Sequence, residues 1–204
     1  MKKKIFQRKK FYKNYLNFYN SVFTDNQLQK ISAIQDVIEK KIKENKFIFV
    51  CGNGGSSAIA NHFLCDFNKG IKETSKKKML PKVISLSSNT EIISAISNDY
   101  SYFRVFKDQL ENYSSKGDCL ITMSCSGNSK NILKIIKYAK SKKIFIISLS
   151  GFNNGSFLKK NCNIHFNAGI KNYGVSEDIF QTIMHMISQS IRSKFKPNLK
   201  KDFL

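Results

Sequence analysis

The sequence predicts an α/β fold: a doubly wound, parallel, five-stranded sheet in an αβα sandwich, preceded by extra N-terminal helices. Three observations predict it. Short, continuous apolar runs recur along the chain, as in strands buried on both faces of a parallel sheet. Stretches of helical periodicity separate them, and that alternation implies crossover connections. Two polar clusters follow directly on apolar runs, at the carboxyl ends of strands, where such sheets bind ligands.

Residues 8–22 are basic and aromatic, with Phe11, Tyr15, Phe18, Tyr19 and Phe23 at helical spacing. Thr24 or Asp25 then suits an N-cap. The helix it starts carries Leu28, Ile31, Ile34, Val37, Ile38 and Ile42. An α/β sheet does not require these two helices, so their apolar stripes are assigned to packing, in the core or between subunits. The chain reads as one domain: helices over 1–45, an αβα core over 46–195 and a basic tail over 196–204.

Phe47–Cys51 is long enough for a buried strand and too short for a buried helix. Gly52-Asn53-Gly54-Gly55-Ser56-Ser57 follows at once. Its glycines open backbone angles closed to other residues and leave N–H groups uncovered. A helix pattern begins near Ser57 and carries Ala58, Ile59, His62, Phe63 and Asp66. Strand, glycine turn and helix N-terminus together make an anion site, because free N–H groups and the helix dipole point at one place. Neither the P-loop nor the dinucleotide pattern is present. A tight turn serving only the backbone is the plainer alternative.

Gly70 to Leu80 reads as a lysine-rich connection, and Lys82–Leu86 as the second strand. Ser88 or Asn89 starts a helix that Asn98-Asp99-Tyr100 breaks, and Phe103 to Leu110 forms the next. The third strand, Cys119–Met123, runs into Ser124-Cys125-Ser126-Gly127-Asn128-Ser129. Four hydroxyl or thiol side chains in six residues exceed what capping needs, and a phosphate has oxygens enough for all of them. Ile144–Leu149 is the fourth strand. A short helix near Ser156–Lys159, a strand at Ile164–Phe166 and a last helix from about Val175 to Ser193 complete the chain.

Lysine and arginine outnumber aspartate and glutamate 35 to 14, a net charge of +21. The lysines are dispersed and no nucleic-acid-reading motif accompanies them, so specific nucleic-acid binding is not expected. A basic surface still steers anionic substrates inward. No apolar run approaches the ~20 residues of a membrane span, and no apolar segment follows the basic N-terminus, so a cytoplasmic protein without membrane attachment is expected. The five cysteines include no C-x-x-C pair and read as reduced, buried small hydrophobes.

Several blocks, in order from about Lys30 to Arg192, carry a family resemblance: CGNGGSSAIANHF, SNDYSYFRVFKDQL, GDCLITMSCSGNSKNILKIIKYAK and EDIFQTIMH. They resemble the sugar isomerase (SIS) domain and, within it, the phosphoheptose isomerase group. The resemblance implies a homotetramer with active sites between subunits. It implies conversion of sedoheptulose 7-phosphate to D-glycero-D-manno-heptose 7-phosphate, on the way to the heptoses of surface polysaccharides. Ser56, Ser124, Ser126 and Ser129 would hold the phosphate. Asn53 and Asp99 would face sugar hydroxyls, with Gly54, Asn98, Cys125 and Glu177 also lining the substrate. The family's catalytic carboxylate falls on Asp66 and its catalytic histidine on His185. Its zinc ligands fall on His62, Asp66, Glu177 and His185, one zinc per site. Three positions depart from the pattern: Asp66 replaces a glutamate, Glu177 a glutamine and Cys125 a threonine. The departures resemble SIS proteins of polysaccharide gene clusters.

The spacings suit that chemistry. His62 and Asp66, four apart, share a helix face. Glu177 and His185, eight apart, lie about 80° apart around a helix. Two imidazoles and two carboxylates would suit tetrahedral zinc, although a single i, i+4 His/Asp pair is more often a surface ion pair. An aldose–ketose isomerase needs a base at carbon, an acid at oxygen and help for the enediolate. Asp66 and His185 fill the first two roles. His165, in a strand, is assigned to packing or to solvent. The alternative is a non-catalytic SIS module, either a phosphosugar-binding regulator or an adaptor like the replication-initiator-associating protein. The presence of both His62 and His185 argues for chemistry, since an adaptor has no need of them.

Overall fold

The computed structural model of the chain describes residues 2–152, 156–196 and 198; the tail expected over 196–204 lies otherwise outside them. Two long helices come first, α1 (Lys2–Ser21) and α2 (Asp25–Lys43), with Thr24 as N-cap of the second. The core alternates from there: β1 (Phe47–Gly52), α3 (Gly55–Cys65), a π turn over Asp66–Ile71 and one last turn, α4 (Lys72–Thr74). Next come β2 (Lys82–Ser85), α5 (Thr90–Asp99), a 3₁₀ turn over Tyr102–Arg104 and α6 (Val105–Tyr113). β3 (Cys119–Ser124), α7 (Lys130–Ser141), β4 (Phe145–Ser150), α8 (Ser156–Asn161), β5 (Ile164–Asn167) and α9 (Tyr173–Ser193) complete it.

All five strands are parallel, in the order β2-β1-β3-β4-β5. The central strands β1, β3 and β4 are buried on both faces, and their side chains alternate between two cores with the period of two that a pleated strand imposes. Ile48 and Val50 of β1, with Ile121 and Met123 of β3, face Ile34 and Ile38 of α2, Phe63 of α3 and Ile183 of α9. Phe49, Cys51 and Leu120 point the other way, against Phe106 and Leu110 of α6 and Ile132, Ile135 and Ile136 of α7. The sheet is doubly wound. From β1 the chain winds outward to β2, and from β3 it winds the opposite way through β4 to β5. Neighbouring β1 and β3 are therefore the topological switch point, and the crevice beyond their carboxyl ends is where such sheets bind ligands.

The lysine-rich connection expected from Gly70 begins later than the sequence suggests. Helical structure continues from α3 through the π turn to Thr74. Phe67 and Ile71 are fully buried, which repays the poor helix propensity of Gly70. Asn68 also pins the turn to β2: its Nδ2 donates to the Val83 carbonyl (2.8 Å) and its Oδ1 accepts from Val83 N (3.0 Å). Such π segments recur at functional sites, and Asp66 opens this one.

α1 lies along α9. Tyr15 Oη donates to Asp178 (2.5 Å), Tyr19 Oη meets Thr182 Oγ1 (2.6 Å), and Tyr15, Tyr19 and Phe23 pack on the core. Phe11, Tyr12, Leu16 and Phe18 on the same helix remain exposed. Among the described residues no helix is long and apolar enough to cross a membrane.

Candidate active site

Two helices begin at the switch point, and both open toward a cavity of about 310 Å³. α3 follows β1 through Gly54, whose φ of +54° is the left-handed conformation glycine tolerates. α7 follows β3 through the serine cluster, with Ser129 at its N-cap. Neither N-cap position makes a side-chain capping bond. In the first turn of α7 the Ile132 N–H goes to Asn131 Oδ1 (2.9 Å), but no N-cap side chain covers the leading N–H groups of either helix, and both dipoles favour an anion there. Asn53, Gly54, Ser56, Ser124, Cys125, Ser126, Ser129 and Glu177 all line the cavity, as does Tyr173. Ser124 Oγ sits 3.2 Å from Ser129 Oγ and 3.5 Å from Ser126 Oγ, and Ser56 Oγ is 3.9 Å from Cys125 Sγ. Ser56 and Ser124 are buried, so an incoming group meets hydroxyls already desolvated and positioned.

A second cluster lies farther along α3 and α9, which pack side by side. His62 Nε2 is 3.5 Å from Asp66 Oδ1, and His185 Nε2 is 3.7 Å from Asp66 Oδ2. The two imidazole Nε2 atoms are 3.4 Å apart. Phe63 of α3 and Ile183, Met184 and Ile187 of α9 are buried, and this fixes the neighbouring polar residues at the seam. One ligand atom from each of His62, Asp66 and His185 lies within 4.8 Å of the others. Two imidazole nitrogens and a carboxylate oxygen are the donor set of an open, catalytic divalent-metal site, so the residues present fit a zinc ion with a coordination position to spare. The histidine side chains are half exposed, so the cluster faces outward.

Glu177 stands apart from this cluster. The expected fourth ligand points its carboxylate into the phosphate-type cavity, with Oε1 3.9 Å from Cys125 Sγ. Eight residues of helix separate it from His185 by about 12 Å of rise, and the space beside Gly55 takes it up. A Cβ at Gly55 would lie 2.4 Å from Glu177 Oε2. Burial and the adjacent Glu177 charge push the Cys125 thiol up to about 11, so Cys125 stays a neutral thiol at physiological pH.

Asn98 and Asp99 end α5 and are exposed, with Asn98 Nδ2 donating to Asp99 Oδ1 (2.9 Å); they do not line the cavity. Their segment reaches the first loop through Tyr102, whose hydroxyl donates to Asn53 Oδ1 (2.9 Å). The sequence reading passed over Tyr102, and also Gln181, whose Nε2 is 2.8 Å from His185 Nε2. Gln181 lies four residues from both Glu177 and His185, so helical spacing alone points to it. Ser188 Oγ, 3.4 Å from Asp66 Oδ2, is a third. His165 packs in β5 with Nε2 2.7 Å from Ser150 Oγ, and burial lowers its pKa.

The chain resembles known proteins along most of its length. The SIS domain model matches residues 10–151. A phosphoheptose isomerase of Campylobacter concisus is 32% identical over 186 residues, 90% of this chain and 96% of that one. One from Helicobacter hepaticus is 33% identical over 82% of this chain and 84% of its own. In three dimensions, a phosphoheptose isomerase of Neisseria gonorrhoeae superposes with a TM-score of 0.81 at 21% identity, covering 92% of this chain and 97% of that one, which shows a shared fold. With the serine-lined cavity at the switch point and these relatives alongside, the chain belongs to the SIS domain family, within its phosphoheptose isomerase group.

Proposed function

We propose that the protein is an aldose–ketose isomerase that converts sedoheptulose 7-phosphate to D-glycero-D-manno-heptose 7-phosphate, supplying heptose for lipopolysaccharide or capsule synthesis in the cytoplasm. The carrying observation is that a serine-lined cavity and the His62–Asp66–His185 cluster lie along one seam, where α3 packs on α9.

The phosphate binds between the N-termini of α3 and α7, against Ser56, Ser124, Ser126 and Ser129. It is remote from the reacting carbons, so its binding energy goes into orienting them. The sugar then runs along the seam toward the cluster. Asp66 removes a proton from C1 of the ketose, exchanges it with solvent at this half-exposed cluster, and delivers a proton to C2. His185 carries the O1 proton to O2, so the enediol passes on to the aldose with nothing gained or lost. Zinc held by His62, Asp66 and His185 would polarise the carbonyl and lower the cost of the enediolate charge. The half-exposed cluster and the exposed apolar face of α1 favour a homotetramer in which neighbouring subunits close the site.

The test is turnover of sedoheptulose 7-phosphate by the wild type and by His185→Ala. The expected result is isomerisation that the variant loses while it still binds phosphate, because the group removed acts in the transition state. Wild-type protein that binds the ketose phosphate without turning it over would make it a phosphosugar-binding regulator.

A further inference from the structure

Asn53 is held by a hydrogen-bond chain whose polarity can be read from the backbone outward. Asn131, in the first turn of α7, is 2% exposed. Its Oδ1 accepts from the Ile132 backbone N–H (2.9 Å), and a backbone N–H can only donate, so that atom is the amide oxygen. The other end of the Asn131 amide is therefore NH₂, and it donates to Asn53 Oδ1 (2.8 Å). Asn53 returns the bond from Nδ2 to Asn131 Oδ1 (3.0 Å), closing a reciprocal amide pair. Asn53 Oδ1 is thus an acceptor, and the Tyr102 hydroxyl at 2.9 Å must donate to it. The Asn53 oxygen is engaged twice, and one Nδ2 hydrogen is used. What remains at the cavity wall is a single N–H.

We infer that Tyr102 and Asn131 are positioning residues that lock Asn53 as a hydrogen-bond donor to an oxygen of the sugar. This rests on the proposed sugar-phosphate site. A locked donor favours a carbonyl or an enediolate oxygen, which accepts only. Without the two donors on its oxygen, the amide is free to turn over and present the acceptor instead. Tyr102 also joins α5, with Asn98 and Asp99 at its end, to the phosphate-type loop, so one hydroxyl sets the spacing between the two sides of the sugar. The phosphate grip belongs to the serines and helix N-termini, so the chain acts on the sugar end alone.

The experiment compares binding of inorganic phosphate and of sedoheptulose 7-phosphate by wild type, Tyr102→Phe and Asn131→Asp, with thermal unfolding of each. Tyr102 is half exposed, so losing its hydroxyl leaves the core intact. The expected result for Tyr102→Phe is unchanged unfolding and unchanged phosphate affinity, with ketose phosphate bound about 3- to 10-fold more weakly, the range of one net hydrogen bond. Asn131→Asp keeps the acceptor for Ile132 N but cannot donate to Asn53; its added charge repels phosphate in either ligand, so it is read as the ratio of ketose phosphate to inorganic phosphate affinity, which should fall by a similar factor. Equal sugar-phosphate affinity in wild type and Tyr102→Phe overturns the inference, as does a parallel fall in phosphate affinity. If wild-type protein binds inorganic phosphate but not the ketose phosphate, the proposed function fails, and the sugar-facing role of Asn53 fails with it.

Discussion

Glu177→Gln should tighten phosphate binding while slightly weakening the free protein. The carboxylate shares the cavity with the hydroxyls assigned to phosphate. Two successive 3.9 Å contacts, Glu177 to Cys125 to Ser56, put it within about 8 Å of Ser56 Oγ. At that distance two unit charges repel by about 0.5 kcal/mol with water-like screening and about 2 kcal/mol at an effective dielectric of about 20. A phosphate carrying nearly two charges feels about 1–2 kcal/mol in a half-open cavity, or about 5- to 30-fold in affinity. Against this, Glu177 lies beside Gly55 at the start of α3, where a negative charge stabilises the helix by about 0.3–1 kcal/mol. Calorimetry with inorganic phosphate reads the first effect and denaturant unfolding without phosphate reads the second. The expected pair is tighter binding with a small loss of stability. Unchanged or weaker phosphate binding in Glu177→Gln would refute the placement of phosphate at Ser56 and the N-terminus of α3.

Zinc binding, followed by metal analysis after dialysis, should fall in His62→Ala and in His185→Ala and persist in Glu177→Gln; equal loss in all three would return Glu177 to the ligand set. At pH 8 iodoacetamide should label exposed Cys65 and spare Cys125 until the chain unfolds, because burial and Glu177 hold that thiol near 11. The raised folded pKa also sets the sign with pH: the Cys125 contribution to stability is full below about 9 and is lost as pH rises through about 11. Light scattering should find a tetramer that Phe11→Ser with Phe18→Ser weakens; a wild-type monomer at micromolar concentration would exclude shared sites.

The architecture was legible because buried parallel strands and amphipathic helices have different periods. Phe47–Cys51 and Cys119–Met123 read as strands from apolar continuity alone, and each is fully or nearly fully buried. The density of hydroxyls in Ser124–Ser129 likewise marked a site, because capping cannot use them all. Extent was harder to read. Gly70 and the lysines after it signalled a loop, yet tertiary burial of Phe67 and Ile71 and the Asn68–Val83 bonds carried the helix to Thr74. The direction of Glu177 was not legible either, because helical spacing fixes an azimuth and not the space a neighbour leaves. The bare backbone of Gly55, on a different helix, creates that space. Tyr102 escaped notice because its partner Asn53 is 49 residues away, a contact that only the switch-point topology brings about.

The central claim is that this seam moves a proton between adjacent carbons of a sugar phosphate, with Asp66 as the base. NMR of sedoheptulose 7-phosphate incubated with the protein in D₂O tests it directly. The account predicts deuterium entering at C1 of the ketose and at C2 of the aldose that accumulates, with Asp66→Asn abolishing both while inorganic phosphate still binds. Aldose formed with no deuterium from solvent at C2, or deuterium exchange undiminished in Asp66→Asn, would contradict it.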